Sequence, residues 1–261
     1  MAEIIALANQ KGGVGKTTTA INLAAALAHL GQDTLLIDLD PQCNATSGLG
    51  FEKGSGEAGI YNVLIDGAPI AESIRSTEIE LLDMSCSSLD MVSAELELSS
   101  IVSRENRLRD AIETIKDSYS FILIDCPPSL GLLTLNALSA SDKVLIPIQG
   151  EYYALEGLAQ LVEATNRVQA GLNPRLQLEG GILTMFDSRY SLAQQVRSEL
   201  EKFFGTKLFK TPVPRSVRLA EAPGFGKSIF QYDPKSKGSE SYLAIAGELL
   251  SRRGWTGMKL N

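Results

Sequence analysis

Histidine, tryptophan and cysteine are all scarce in this 261-residue chain. The one histidine, His29, stands beside Leu30 and Gly31 at the end of an alanine- and leucine-rich stretch, a helix-end position rather than a catalytic one. Cys43, Cys86 and Cys126 lie far apart, with no Cys-x-x-Cys pair. That argues against a disulfide framework or a zinc site and fits a reducing cytoplasm. No apolar run approaches the ~20 residues of a bilayer span. The opening "MAEIIALANQ" lacks a basic segment ahead of its apolar run, so it does not read as a signal peptide. Repeats, low-complexity segments and clear linkers are also missing. One domain over residues 1–261 is the expectation.

What is present is an ordinary globular composition, 44% hydrophobic and 21% charged, with an uneven charge distribution. The net charge is −7. Residues 181–261 nevertheless hold 13 Lys and Arg against 7 Asp and Glu, while residues 1–180 hold 11 against 24. Such asymmetry marks either a polyanion-binding face or unconnected solvated charges.

Short, β-branched apolar runs alternate with helix-like segments. "IIALAN" (4–9), "TLLIDLD" (34–40), "FILIDCP" (121–127), "VLIPIQ" (144–149) and "GGILTM" (180–185) read as buried strands. Helices are expected over 17–30, 103–116, 155–170 and 191–204, the first, third and last ended by Gly31, Gly171 and Gly205. "EKGSGEAG" (52–59) and "DPKSKGSES" (233–241) read as surface loops. Strand–helix alternation predicts an α/β fold: a doubly wound, mostly parallel sheet with helices on both faces, which the loop "KGGVGKTT" makes one of the P-loop NTPase type. Ligands in such folds bind beyond the carboxyl ends of the strands. Three of the strands end there in loops loaded with chemistry: "NQKGGVGKTT", "DLDPQ" and "DCPPSLG".

In the first loop Gly12, Gly13, Val14 and Gly15 leave backbone N–H groups free to surround phosphate oxygens, and the following helix aims its dipole at the same anion. Lys16 is placed to reach β- and γ-phosphates, Thr17 to coordinate Mg²⁺, and Thr18 to add a donor near the α-phosphate. The usual first glycine of such a loop is replaced by Gln10, and a second lysine, Lys11, is present. Asp125 ends an apolar strand in the manner of a Walker B acid and, with Thr17 and Asp38, completes the candidate metal ligands. Pro127 and Pro128 stiffen the exit, and Gly131 is a possible hinge of a loop that senses the γ-phosphate. Asp40, one step beyond the second strand, either polarises the attacking water or caps a turn before Pro41.

"KGGVGKTT" with Lys11, followed by "DLDPQ" and "DCPPSLG", resembles the deviant Walker A ATPases. "DPQCNATSGLG", "EYYALEGL", "PRSVRLAEAP" and "YDPKSKGSE" resemble more narrowly the chromosome-partitioning ParA/Soj family, nearly end to end. Gln10 in place of glycine is expected in that family. The resemblance implies an ATP- and Mg²⁺-dependent homodimer, weakly active alone, cytoplasmic and nucleoid-associated. It would bind double-stranded DNA non-specifically and answer to a ParB-type centromere-binding partner. Residue by residue, it makes Lys11 the lysine that crosses to the partner subunit's phosphates and Gly12 an interface glycine. Lys16, Thr17, Asp40 and Asp125 become the phosphate, Mg²⁺, water-activating and Walker B residues. Arg189 and Arg218 match arginines linked to DNA binding, and Pro212, Val213, Pro214 and Arg215 match a segment near the adenine. The chain departs from the family at Cys43, where glycine is usual. A non-glycine there implies a negative φ and a slightly different loop.

Arg189, Arg215, Arg218, Lys227, Lys235 and Lys237 all fall in the basic third and form the candidate DNA patch. No helix-turn-helix precedes residue 1, so sequence-specific operator binding is not expected. Three rivals share the loops. A MinD-like membrane ATPase requires a terminal amphipathic helix, and Leu243, Ala246, Leu249 and Leu250 could form its stripe, although Gly254 and Gly257 break the tail. No membrane association is expected. An iron–sulfur reductase requires cysteines that bridge two subunits. A ParA-like engine could instead position a protein cargo. Trp255 and the pair Tyr152–Tyr153 are read as packing residues rather than base-stacking ones.

Overall fold

A computed structural model describes residues 1–54, 58–151 and 154–255, without the side chains of 154–156. Tyr152–Tyr153, Gly257 and part of the 52–59 loop lie outside the described residues.

The apolar runs pair into one sheet. Its strands are β1 (Glu3–Leu7), β2 (Thr34–Asp38), β3 (Ile74–Ser76), β4 (Leu82–Ser85), β5 (Phe121–Asp125), β6 (Lys143–Gln149) and β7 (Gln177–Thr184). They lie in the order β3-β4-β2-β5-β1-β6-β7. Every neighbouring pair is parallel except the short edge strand β3, which runs antiparallel to β4.

The helices are α1 (Lys16–His29), α2 (Asn44–Gly48), α3 (Ile60–Leu64), α4 (Met91–Leu98), α5 (Arg107–Ile112), α6 (Leu132–Ala140), α7 (Ala154–Gly171), α8 (Ser191–Phe204), α9 (Val217–Glu221), α10 (Ile229–Tyr232) and α11 (Lys237–Ser251). Side chains alternate across the sheet, so each strand feeds two cores. On β5, Ile122 and Ile124 pack into one layer with residues of α3 to α8. Phe121 and Leu123 pack into the other with α1 and α11. Both faces are therefore covered, as continuously apolar parallel strands require.

α1 is built from alanine, leucine and threonine and is buried along nearly its whole length. α11 packs against it through Tyr242, Ile245, Ala246, Leu249 and Leu250, and the Tyr242 hydroxyl lies 3.1 Å from Thr19 Oγ1. The expected terminal apolar stripe is thus a core face. Trp255 packs against the same core, and His29 sits exposed at the end of α1.

The expected helix over 103–116 is a correction. It divides into a 3₁₀ turn at Arg104–Asn106, α5, and a second 3₁₀ turn at Lys116–Ser118. Ser103 is left-handed at φ 56°, the Thr114 hydroxyl bonds back to the Ala111 carbonyl, and Ile115 leaves helical φ at −124°. β3 and β4 were not foreseen, because "IRS" and "LDMS" are short and partly polar.

Candidate active site

Strand register brings the three loops together. Leu7 pairs with Asp125, and Asp125 with Asp38, so β1, β5 and β2 end level with one another as immediate neighbours. Their loops leave from one edge of the sheet.

In the first loop Gly13 and Gly15 adopt φ 75° and 85°, conformations that glycine takes without strain. Gly15 caps α1, whose first turn carries no acidic residue. The leading N–H groups and the helix dipole therefore face the loop uncompensated. Two braces hold the loop: the Thr184 hydroxyl donates to the Val14 carbonyl at 2.7 Å, and Asn9 Oδ1 accepts from the Lys11 N–H at 3.0 Å. Lys16 is buried and points its ammonium at the Lys11 carbonyl, 3.3 Å away. Burial pulls its pKa down, while Asp125, Cys126 and Asp40 push the other way. It forms no ion pair among the described residues. Gly12 is exposed, and a Cβ built on it meets nothing within 4 Å. Nothing among the described residues requires glycine there.

The two carboxylates that end β2 and β5 are both fully buried, with different surroundings. Asp38 is saturated. Its Oδ1 accepts the Asp40 N–H at 3.0 Å, and its Oδ2 accepts both the N–H and the hydroxyl of Thr46 at 2.8 Å. Burial raises its pKa to about 6 against the pull of those donors. Asp125 has no hydrogen-bond partner on either oxygen. Burial, then the charge of Asp38, lifts its pKa well above the usual range, opposed by the nearby Thr17 hydroxyl and Lys16. An orphaned buried carboxylate beside a hydroxyl fits a divalent cation. Among the described residues no three acidic, histidine or cysteine groups form a self-sufficient metal site. A hard cation here would need phosphate oxygens too, as Mg²⁺ commonly does.

The turn-cap reading of Asp40 is met by one of its two carboxylate oxygens. Its Oδ1 accepts the Gln42 N–H at 2.9 Å and closes a turn around Pro41. Its Oδ2 makes no hydrogen bond among the described residues.

Cys43 corrects an expectation. Its φ is +52°, the left-handed value glycine would take, not a negative one. The loop is fixed on both sides of it, because Asp38 holds Asp40 before it and Thr46 after it. The Cys43 N–H also bonds to the Asp40 carbonyl at 2.9 Å. These contacts over-determine the backbone and sustain a strain of roughly 1–2 kcal/mol. The thiol is buried and donates to the Pro41 carbonyl. Cys86 and Cys126 are buried as well, which leaves no thiol at the surface to share a cluster between subunits.

Lys11 reaches out of its loop to Glu151 Oε2, 2.6 Å away, in a half-exposed ion pair, and Gln149 Nε2 holds the other Glu151 oxygen at 2.7 Å. Beside the loop lies an apolar pocket of about 200 Å³ lined by Gly15, Thr18, Val213, Pro214 and Arg215. Met185 and Tyr242, which sequence reasoning missed, also line it. Pro212 faces a neighbouring pocket instead, together with Arg189, Pro214 and Arg215. Arg189 is 82% exposed yet paired with Asp187 through two guanidinium nitrogens. Arg218 pairs with Glu221 and Asp233. Exposed Arg215 and Lys227 form no ion pair among the described residues.

The state of Asp125 sets an expectation for stability. An unfolded aspartate ionises near pH ~3.9. The folded group ionises well above that, so it weighs against folding increasingly as pH rises from there. Asp125→Asn should therefore stabilise the nucleotide-free protein at pH 7.5 by about 1 kcal/mol or more, and by less at pH 4.5. Urea unfolding at both pH values checks this. A destabilised variant at pH 7.5 would show that the carboxylate is not an uncompensated group.

The geometry agrees with relatedness across almost the whole chain. Residues 2–178 match the AAA domain family. The chain is 53% identical to the sporulation initiation inhibitor protein Soj of Bacillus subtilis (strain 168), over 95% of this chain and 98% of that protein. It is 54% identical to the chromosome partitioning protein ParA of Myxococcus xanthus (strain DK1622), over 97% and 89%. A crystal structure of cobyrinic acid a,c-diamide synthase from Mycobacterium smegmatis, with bound ADP and magnesium, superposes with a TM-score of 0.86. It is 32% identical and covers 99% of this chain and 98% of its own, so the sheet is of the P-loop NTPase type. The chain belongs to the ParA/Soj family of chromosome-partitioning ATPases.

Proposed function

We propose that this chain is a Mg²⁺-dependent ATPase that dimerises around ATP, binds double-stranded DNA without sequence preference and is driven through its cycle by a ParB-type partner. The observation that carries the nucleotide chemistry is Asp125, buried and unpaired beside Thr17 and Lys16 at the end of β5. A buried anion of this kind is costly unless a cation answers it. Thr17 and Asp125 would hold Mg²⁺, which supplies charge neutralisation on the phosphates. Lys16 and the N–H groups of residues 12–18 would bind the phosphates, and the pocket at Val213, Pro214 and Arg215 would take the adenine. The relative crystallised with ADP and magnesium supports this reading. Asp38, with both oxygens taken, is better placed to hold the Asp40 loop than to ligate metal. Asp40 would orient the water through its uncommitted Oδ2.

Dimerisation rests on Lys11 and Gly12. Among the described residues nothing explains the glycine, and the Lys11 ammonium is tied only to the exposed Glu151. Breaking such a pair costs only about 0.2–1 kcal/mol, a small toll for a lysine that must reach another subunit's phosphates. A membrane role is disfavoured by α11, whose apolar face is spent on α1. Among the described residues no helix is long and apolar enough to cross a membrane. The site of action would be the nucleoid, in the cytoplasm.

Two substitutions separate these roles. Lys11→Ala should weaken the ATP-dependent dimer at least ~10-fold by light scattering, with binding of a fluorescent ATP analogue to the monomer nearly unchanged. Equal loss of both would make Lys11 a local phosphate contact. Asp40→Ala should keep the dimer and lower turnover by about 100-fold or more; normal turnover would leave Asp40 as a turn cap only.

The DNA surface is tested by Arg189→Glu combined with Arg218→Glu. DNA affinity in the ATP state should fall, and the dependence of log affinity on log salt should flatten by about 0.9 for each phosphate no longer neutralised. Unchanged affinity across salt concentrations would remove both arginines from the patch.

A further inference from the structure

Asp40 lies in a closed ring of hydrogen bonds. Its N–H donates to Asp38 Oδ1 at 3.0 Å. The other Asp38 oxygen, Oδ2, accepts the Thr46 hydroxyl at 2.8 Å. The Thr46 oxygen in turn accepts the Ser87 N–H at 2.9 Å. The Ser87 hydroxyl donates to the Asp40 carbonyl at 2.8 Å and closes the circuit. Asp38, Asp40, Thr46 and Ser87 are all buried. A hydroxyl has one proton to give. Thr46 gives its proton to Asp38 and Ser87 gives its proton to Asp40, so the direction of each bond is set.

Two strand ends make the ring possible. β2 and β4 are parallel neighbours, with Ile37 paired to Ser85. Their exits therefore leave the sheet side by side. Asp38 stands at one, and Ser87, just past the end of β4, follows the other. Thr46, from α2, joins them.

The ring holds the backbone of Asp40 at both of its polar groups. Asp38 takes the N–H, and Ser87 shares the carbonyl with the Cys43 N–H. The Gln42 N–H then occupies Oδ1 of the side chain, and Oδ2 is what these contacts leave over. A turn around Pro41 needs only the Gln42 contact. Burying further polar groups is costly unless each is satisfied, and a satisfied network rigidly fixes the group it surrounds. Neither Thr46 nor Ser87 belongs to the phosphate loop or lines the apolar pocket beside it. Their contacts converge on the aspartates and on the loop between them and α2.

We propose that Thr46 and Ser87 are positioning residues for hydrolysis, which hold Asp40 so that its Oδ2 meets the attacking water. This rests on the reading of Asp40 as the residue that orients water. A group displaced by about 1 Å can cost up to about 100-fold in rate, whereas ATP binding does not depend on it.

The test uses the full chain and follows release of labelled phosphate from ATP. Ser87→Ala should lower kcat about 10-fold, with KM for ATP and the ATP-dependent dimer within about 2-fold of wild type. Thr46→Val keeps the shape and removes the hydroxyl, and should lose at least as much. Thr46→Ser, which restores the hydroxyl, should return to within about 3-fold of wild type. In an Asp40→Ala background, adding Ser87→Ala should change nothing further, because the ring acts through Asp40. A Ser87→Ala effect of equal size in both backgrounds overturns the proposal. Normal turnover in Ser87→Ala also overturns it and leaves the Asp40 reading standing. A parallel loss of ATP binding and of the dimer would make the ring a general support of the fold, again overturning it. If Asp40→Ala alone hydrolyses normally, the Asp40 reading fails and the proposal with it. Should Thr46→Val unfold by circular dichroism, Ser87→Ala decides alone, since there the Asp40 carbonyl keeps the Cys43 N–H.

Discussion

Two carboxylates buried side by side, Asp38 and Asp125, set the terms for the rest of the site. The β2–β5 register makes them neighbours at the level where three loops leave the sheet. Neither can be abandoned in a dry interior, since an uncompensated buried charge is among the costliest features a fold can carry. Asp38 is answered from within, by the Asp40 N–H and by Thr46 twice. That answer shapes the loop that carries Asp40, because it fixes the residues on both sides of Cys43. Among the described residues Asp125 is answered only by the partial influence of Thr17 and Lys16. The asymmetry separates two acids that look alike in sequence: one builds the loop, and the other is left without a hydrogen-bond partner among the described residues.

Lys16 is the complement of Asp125. It is buried and lacks an ion pair, and its pKa is pulled down by that burial. A buried ammonium and a buried carboxylate sit close enough to feel one another without forming a direct pair. The empty first turn of α1 adds further positive potential. A phosphate with its counter-cation would satisfy all three at once. Apo instability at such a point is a common accompaniment of a ligand site.

Much of this was legible in the sequence, and the exceptions have physical causes. β1, β2, β5, β6 and β7 were readable because parallel strands buried on both faces are continuously apolar. Helices ending at Gly31, Gly171 and Gly205 were readable from their stops. β3 and β4 were not, since both are short and partly polar, and β3 is an edge strand that needs no apolar signature. The 103–116 segment has helical composition, but its ends depend on side-chain bonds that pattern does not reveal. Cys43 misled because a residue's own preference was weighed without its neighbours: Asp38, five positions earlier, dictates its φ. The ends of the lysine and arginine side chains were equally hidden. Nothing in the residue order pairs Lys11 with Glu151 or Arg189 with Asp187.

Those pairings bear on how a chain of net charge −7 meets a polyanion. Counting residues makes the last third basic, yet Arg189 and Arg218 are both neutralised locally in the isolated chain. Asp187 is held down to about 2, so protonation will not release Arg189 at ordinary pH. A phosphate must compete with that carboxylate for the same guanidinium. One subunit would then be a poor DNA ligand, with Arg215, Lys227 and Lys235 the patch cations that form no ion pair among the described residues. Under the proposed function two subunits would present the patch twice on one duplex, and electrostatic affinity rises steeply with the number of phosphates contacted. Acidic pairing of the arginines would thereby make the proposed DNA binding depend on dimerisation more sharply than a bare basic patch would.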